Sequence, residues 1–272
     1  MRITDVECLA LSGRSPKGGW TNEIKPEDSI HALIVIRTDD GTTGIGSVFT
    51  DGRLTEAGLD VLRPLLIGER VDEPARVAEN LHQNTFWMGR GGTLTHVISG
   101  IDIALWDIFG KITGQPVSRL LGGTYRSKVR AYASILMEEP DLMRERTAFY
   151  RAEGFRAIKI GWGPFGRCES AAHDEAIVRA AREGCGADCQ LMVDAGASDA
   201  HWPNGLKWAM NTAQMLAAYD VTWFEEALPP DDMADFRDLR LKSPVPIATG
   251  ECLTRRQTFL PPDRADPHET GD

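Results

Sequence analysis

The sequence predicts an α/β protein: an N-terminal α+β domain over residues 1–125, then an incomplete TIM-like (β/α) barrel over residues 126–260. Two observations carry this prediction. The first part of the chain combines a strand–turn–strand pattern with a long amphipathic helix. From about Val129, five strand-like runs alternate with four complete helical runs, which is typical of parallel βα units.

The composition is that of a soluble globular protein whose acidic charge disfavours binding to polyanions. The 272 residues are 42% hydrophobic and 26% charged, with a formal net charge of −10. Nucleic acid and anionic membrane would be repelled by this charge, and no apolar run approaches the roughly 20 residues needed to span a bilayer. The N-terminus also lacks the apolar core and cleavage site of a signal peptide. We therefore expect a cytoplasmic protein.

The cysteines indicate free thiols. They are five in number and scattered, which is unlike a disulfide framework. Cys185 and Cys189 are spaced C-x3-C, but no second Cys/His pair accompanies them, so structural zinc is the weaker interpretation.

The elements of the first domain are a hairpin and a helix. Residues 30–38 are rich in β-branched side chains, a turn follows, and residues 43–48 return. The glycines of this segment faintly resemble a phosphate-binding loop, but they do not fit G-x-G-x-x-G and open no helix. Apolar residues then recur with helical spacing over 97–112. Asp102 and Asp107 lie in this helix, and we interpret them as capping or salt-bridged residues.

The second domain reads as a series of βα units. Its strand-like runs are, in order, VRAYASIL, FRAIKI, QLMVD, VTWFE and VPIATGE. The first two intervening helices close at Gly154 and Gly184. From strand to strand the repeat is roughly 30 residues, close to what a barrel of eight units in about 250 residues requires.

Acidic residues end three consecutive strand-like runs: Asp194 ends QLMVD, Glu225 ends VTWFE and Glu251 ends VPIATGE. In a parallel barrel these strand ends converge on the active-site face. Three carboxylates brought together there would repel one another and partly protonate unless a cation lay among them. Oxygen ligands without His or Cys suit Mg²⁺, or Mn²⁺ in its place. The spacing alone leaves open both a metal site and three unrelated loop acids.

Two further charged residues adjoin these acids. Strand alternation points Glu225 the same way as Trp223 and Glu226 the opposite way. Glu225 is therefore the predicted ligand, and Glu226 the predicted support for a loop or a lysine. Lys159 lies on the strand before that of Asp194. It could bind a substrate carboxylate, or serve as a base if its pKa falls; a solvent-facing lysine is the alternative.

Six segments resemble, in order and at matching intervals, the enolase superfamily, in particular the mandelate racemase and muconate lactonizing enzyme group: HVISGIDIALWDIFGKITGQPVSRLLGG, VRAYASIL, AIKIGWGPFG, MVDAG, WFEEALPPDD and PIATGE. The resemblance runs from the N-terminus to about Leu260. It implies an α+β capping domain over a modified barrel, whose loops near Trp20 and 48–50 cover the substrate. Simple packing of Trp20 is the alternative.

The resemblance also implies a reaction. One Mg²⁺ would be held by Asp194, Glu225 and Glu251, and the shared chemistry would be abstraction of the proton α to a carboxylate. The metal would stabilise the resulting enediolate, and Lys159 would bind the substrate carboxylate. The substrate would be a small-molecule carboxylate or sugar acid, and relatives commonly form homo-oligomers.

Position 161 departs from the family pattern. Many relatives carry K-x-K on the second barrel strand, where the second lysine is a base, but this chain has Lys159-Ile160-Gly161. The general base is therefore absent. Relatives without that lysine usually rely on an Asp–His pair from later strands and are often acid-sugar dehydratases. The resemblance thus implies an acid-sugar dehydratase first in the full-length form, with a racemase or cycloisomerase second.

The last twelve residues, 261–272, contain three prolines and four acids. We expect a disordered tail, produced by truncation or a frameshift, in which Asp266 and His268 do not replace the missing Asp–His pair. The alternative to an enzyme is then a non-catalytic remnant that at most binds metal or pairs with other subunits.

Overall fold

The structure is a computed structural model that describes residues 1–13, 31–168, 170–198 and 202–259. These residues form two compact units: residues 1–13, 31–128 and 254–259 make up the first, and the described residues of 129–253 make up the second. A three-stranded sheet belongs to the first unit and a five-stranded parallel sheet to the second, which confirms the predicted fold class. Trp20, Asp266 and His268 lie outside the described residues, so the predictions for them stay predictions. No helix in the described ranges is long and apolar enough to cross a membrane.

The first unit is an antiparallel sheet with its helices. Its strands are β1 (Ile3–Leu11), β2 (His31–Thr38) and β3 (Thr43–Val48), in the order β1-β2-β3. Its helices are α1 (Gly52–Leu66), α2 (Pro74–Asn84), α3 (Thr93–Thr113) and α4 (Val117–Leu120). Their buried faces share one apolar core, which includes Ile34, Leu59, Leu81 and Ile101.

The glycines of the β2–β3 hairpin allow the sheet to approach α3 closely. A β carbon at Gly46 would lie 1.9 Å from the carbonyl oxygen of Gly100, and one at Gly44 would lie 2.2 Å from that of Ala104. Only glycine permits this contact between backbones. The pairing of β2 with β3 confirms the predicted hairpin, so these glycines serve packing.

The structure also shows the surroundings of Asp107 and of the two cysteines spaced C-x3-C. The Asp107 carboxylate accepts hydrogen bonds from the Ile45 N–H at 3.0 Å and from Lys111 Nζ at 2.7 Å. The predicted structural role of Asp107 is thereby confirmed. Cys185 and Cys189 are buried free thiols.

The second unit is a run of parallel βα units. Its strands are β4 (Ala133–Leu136), β5 (Ala157–Gly161), β6 (Gln190–Asp194), β7 (Val221–Glu225) and β8 (Ile247–Ala248). Its helices are α5 (Pro140–Ala152), α6 (Ala171–Cys185), α7 (Leu206–Ala218) and α8 (Met233–Lys242). The strands pair in sequence order, and every pairing is parallel. All of β5 is buried, as expected for a strand covered on both faces.

The register of this sheet aligns the carboxyl ends of its strands. Gly161 pairs with Asp194, Asp194 with Glu225, and Glu225 with Ala248. The acids that end β6 and β7 are therefore direct neighbours. The prediction that Glu251 ends its strand is wrong, because β8 stops at Ala248 and Gly250 turns the chain with a φ of 121°.

Candidate metal centre

Lys159 joins the two acids at the ends of β6 and β7. Its Nζ donates hydrogen bonds to Asp194 Oδ2 at 2.7 Å and to Glu225 Oε1 at 2.6 Å. Lys159 is 7% exposed and Asp194 is fully buried. Lys159 is level with Met192 in the sheet, so its long side chain extends toward the strand end to reach both carboxylates. The alternative of a solvent-facing lysine is therefore wrong.

Each of these two carboxylates has a second hydrogen-bond donor. The Gly196 N–H donates to Asp194 Oδ1 at 3.0 Å, and the indole N–H of Trp223 donates to Glu225 Oε2 at 2.8 Å. The Trp223 ring also contacts Tyr132 edge-on, with centroids 6.1 Å apart. The sequence did not identify Trp223 as a hydrogen-bond partner of Glu225. Its position two residues before Glu225, on the same strand face, was the available signal.

Glu226 holds the turn that carries Glu251. The Glu226 side chain is buried, and its Oε1 accepts hydrogen bonds from the N–H groups of Gly250 at 2.7 Å and Glu251 at 3.3 Å. Its own N–H donates to the carbonyl oxygen of Ala248 at 3.0 Å. Of the two roles predicted for Glu226, support of a loop is confirmed.

The third acid stands apart from the other two. Glu251 is exposed, and its carboxylate accepts a hydrogen bond from the Ser198 hydroxyl. Within the described ranges, no three His, Cys, Asp or Glu side chains are grouped closely enough to hold a metal. The structure thus brings Asp194 and Glu225 together and leaves Glu251 nearby on a different partner. Ligation by all three stays a prediction.

The electrostatics of the site show an unneutralised negative charge. Burial raises the pKa of Asp194 to about 6; the hydrogen bond from Lys159 opposes this rise, and the charges of Glu225 and Glu251 add to it. Burial would lower the pKa of Lys159, but its hydrogen bonds to Asp194 and Glu225 outweigh burial and hold that pKa above its ordinary value. Lys159 is therefore a permanent cation. One ammonium is shared by two carboxylates, with the carboxylate of Glu251 nearby, so this oxygen-only set fits a hard divalent cation.

Position 161 has little room for a side chain. A β carbon at Gly161 would lie 3.1 Å from the β carbon of Asp194 and 3.5 Å from its carboxyl carbon. Trp162, the next residue, adopts a left-handed φ of 54°, and the Lys159 ammonium lies 5.8 Å from its ring centroid. A β carbon at Gly196 would lie 2.3 Å from the Trp162 indole. Position 161, where many relatives carry the second lysine, thus lies in a closely packed region around Asp194.

Two family models match the chain. The mandelate racemase / muconate lactonizing enzyme N-terminal domain matches residues 27–122, and the enolase C-terminal domain-like model matches residues 141–262. The D-galactarolactone cycloisomerase of Agrobacterium fabrum is 32% identical over 258 residues, which cover 92% of this chain and 65% of that enzyme. The chain thus spans just under two thirds of the length of this curated relative.

Solved structures agree with these matches. A proposed mandelate racemase from Bordetella bronchiseptica RB50, complexed with 2-oxoglutarate/phosphate, is 33% identical with a TM-score of 0.81, over 95% of this chain and 68% of that one. A mandelate racemase/muconate lactonizing protein from Paracoccus denitrificans PD1222, complexed with magnesium, is 26% identical with a TM-score of 0.79, over 94% of this chain and 67% of that one.

Proposed function

Because the chain belongs to the mandelate racemase and muconate lactonizing enzyme group of the enolase superfamily, we propose that it is a Mg²⁺-dependent enzyme acting on a sugar acid. The proton α to the substrate carboxylate would pass to a base that is none of Lys159, Asp194, Glu225 and Glu251, and the oxygen on the β carbon would leave as a hydroxyl or alcohol. Expulsion of a hydroxyl is dehydration, and expulsion of a ring oxygen is cycloisomerisation. One observation carries this proposal: the buried Lys159 ammonium is shared by the carboxylates of Asp194 and Glu225.

Asp194, Glu225 and Glu251 would hold the cation, with Mn²⁺ able to replace Mg²⁺. When bound, the cation supplies Lewis-acid stabilisation of the enediolate. The proximity of the Asp194 and Glu225 carboxylates, which share one ammonium, supports this assignment, and so does the magnesium in the Paracoccus denitrificans relative. Glu251 would exchange its hydrogen bond with Ser198 for the cation.

Lys159 would bind the substrate carboxylate. Its ammonium neutralises the negative charge that grows on that group as the α C–H bond breaks. A lysine base would need a lowered pKa, whereas the two neighbouring carboxylates raise the pKa of Lys159. We therefore assign it an electrostatic role and no proton transfer.

The substrate class follows from the relatives and from the chemistry of the leaving group. The Agrobacterium fabrum enzyme is named for D-galactarolactone, and the Bordetella bronchiseptica structure contains 2-oxoglutarate. A lactone of a sugar diacid keeps one free carboxylate, so it offers both an acidic α C–H and a ring oxygen that can leave. Racemisation is less well supported, because returning the proton to the opposite face needs a second proton-transfer group and Gly161 supplies none.

A second candidate is a protein that binds metal, or pairs with other subunits, without turnover. The close fit of Gly161 against Asp194 favours it, because the position of the family's second lysine carries no side chain and little room for one. In this case the divalent cation would bind, but the α-proton of the substrate would stay in place.

Proton NMR in D₂O separates the two candidates. The purified chain is incubated with a panel of aldonic acids, aldaric acids and their lactones in MgCl₂. The enzyme proposal predicts loss of the α-proton signal and formation of a 2-keto-3-deoxy acid, both abolished by EDTA and by Asp194→Asn. Binding of Mg²⁺ without α-proton exchange or elimination in any compound would support the non-catalytic candidate.

A further inference from the structure

We propose that Glu226 is the positioning residue for Glu251, and that it sets the affinity of the site for a divalent cation without touching the cation. It does so by holding the turn of residues 249–251 through backbone hydrogen bonds. This inference rests on the proposed metal site.

The Glu226 side chain accepts hydrogen bonds from two successive backbone N–H groups of the turn. Its Oε1 accepts the N–H of Gly250 at 2.7 Å and that of Glu251 at 3.3 Å. Gly250 has a φ of 121°, so the turn begins in a conformation that ordinary strand geometry does not restrain. The direction in which the Glu251 side chain points therefore depends on the Glu226 carboxylate.

The Glu226 backbone is itself fixed on both sides. Its N–H donates to the carbonyl oxygen of Ala248 at the end of β8, at 3.0 Å, and its carbonyl oxygen accepts the N–H of Ala197 after β6, also at 3.0 Å. A neighbouring hydrogen bond of 2.9 Å joins the Ala195 N–H to the carbonyl oxygen of Glu225. Glu226 thus connects the ends of β6, β7 and β8; Asp194 and Glu225 end the first two strands, and Glu251 follows the third.

This arrangement has two features that oppose folding. Glu226 is a non-glycine residue with a left-handed φ of 44°, and its carboxylate is buried, with only 1% of the residue exposed. Strained backbone and buried charge persist only where the surrounding structure determines them, and they cluster at functional sites. A turn without a further role could be held without burying one acid, Glu226, beside a second acid, Glu225.

Calorimetric titration of the full chain with MgCl₂ tests the inference, using E226A and E226Q. The amide oxygen of E226Q can still accept both backbone N–H groups, whereas E226A has no acceptor. Outer-shell groups typically change metal affinity by roughly 10- to 100-fold. We expect a loss in that range for E226A and a loss of less than about threefold for E226Q.

Asp174 provides the matched control. It is a buried acid of the same unit whose Oδ1 accepts the Gly166 N–H at 2.9 Å, without contact to any of the three acids. D174A should therefore keep Mg²⁺ affinity within about threefold of the wild type, since it removes no outer-shell group. Amide hydrogen exchange of the metal-free proteins gives a second readout: protection of residues 250 and 251 should fall in E226A and persist in D174A.

Two results would overturn the inference. Wild-type affinity in E226A would show that the turn needs no such support. Equal weakening in E226Q and E226A would assign the effect to the charge of Glu226 instead of its hydrogen bonds. If the wild-type chain itself binds no Mg²⁺, the proposed metal site is wrong and the inference fails with it. This outcome is distinguishable from the other two, in both of which the wild-type chain binds Mg²⁺.

Discussion

The ammonium of Lys159 lies 2.7 Å from the carboxylate of Asp194, and both residues are almost wholly buried. Despite this partner, the pKa of Asp194 stays above its ordinary value, because burial and the charges of Glu225 and Glu251 outweigh the lysine. A buried ion pair of this kind is weak evidence for stability. In the proposed function, a divalent cation would complete this site.

Removal of the ammonium should destabilise the metal-free protein. Lys159→Met leaves Asp194 and Glu225 without their shared cation, and loss of one partner from a buried pair costs about 3 kcal/mol. Urea denaturation at pH 7 should show this loss, and MgCl₂ should stabilise the variant more than the wild type. Lys207→Met, at an exposed lysine of α7, is the control and should change little. Equal losses in the two variants would contradict the assignment.

The pH dependence of the site follows from Asp194. Its pKa rises from an ordinary 3.8 to about 6 on folding, so the folded chain binds more protons than the unfolded chain between these values. This carboxyl therefore makes the metal-free protein less stable as the pH rises through that window, with no further change above it. Comparing melting temperatures of wild type and Asp194→Asn from pH 4 to 8 isolates its contribution.

The same titration predicts the pH dependence of metal binding. A carboxylate must lose its proton before it binds Mg²⁺. The apparent affinity should be constant above pH 6 and fall by up to about tenfold per pH unit below it. Titrations at pH 5 and pH 7.5 check this, and an affinity that increases toward pH 5 would contradict the role of Asp194.

Trp223 should support Glu225 as a proposed metal ligand. Trp223→Phe keeps an aromatic ring but removes the N–H that donates to Glu225 Oε2, so we expect Mg²⁺ affinity to fall by roughly tenfold. Trp202→Phe is the matched control. Trp202 is buried in the same unit, and its indole nitrogen has no hydrogen-bond partner in the described part of the chain. Similar affinities for the two variants would remove Trp223 from the site.

Gly161 should be intolerant of a side chain. The β carbon of Gly161→Ala would lie 3.1 Å from that of Asp194, so Asp194 must shift. Overpacking of this kind costs about 1–3 kcal/mol, and Mg²⁺ affinity should fall with it. Gly205→Ala is the control, since its β carbon would meet nothing within 4 Å. A Gly161→Ala protein with wild-type stability and metal affinity would refute this packing argument.

The sequence predicts the second unit well where periodicity is strong. The runs QLMVD and VTWFE coincide with β6 and β7, and helical spacing locates α5 to α8. In the first unit β1, α1 and α2 were missed. β1 alternates poorly between buried and exposed residues, because its C-terminal half is exposed. α1 contains Pro64, which disguises a helical pattern.

The sequence predicts only those site residues that lie at the ends of strands. Asp194 and Glu225 follow directly from the ends of β6 and β7. Glu251 lies in a turn whose backbone N–H groups donate hydrogen bonds to Glu226, which is 25 residues earlier in the chain. The burial of Lys159 likewise depends on two carboxylates from other strands. Contacts between residues so distant along the chain leave no periodic signal in the sequence.

The most direct test of the central claim is a titration of the purified chain with Mn²⁺, followed by the electron paramagnetic resonance signal of free Mn²⁺. If Asp194, Glu225 and Glu251 hold a divalent cation, the signal will show one bound Mn²⁺ per chain that Mg²⁺ displaces. Asp194→Asn and Glu225→Gln will each abolish this binding. Free Mn²⁺ that matches the total added, or binding unchanged in both variants, would contradict the claim.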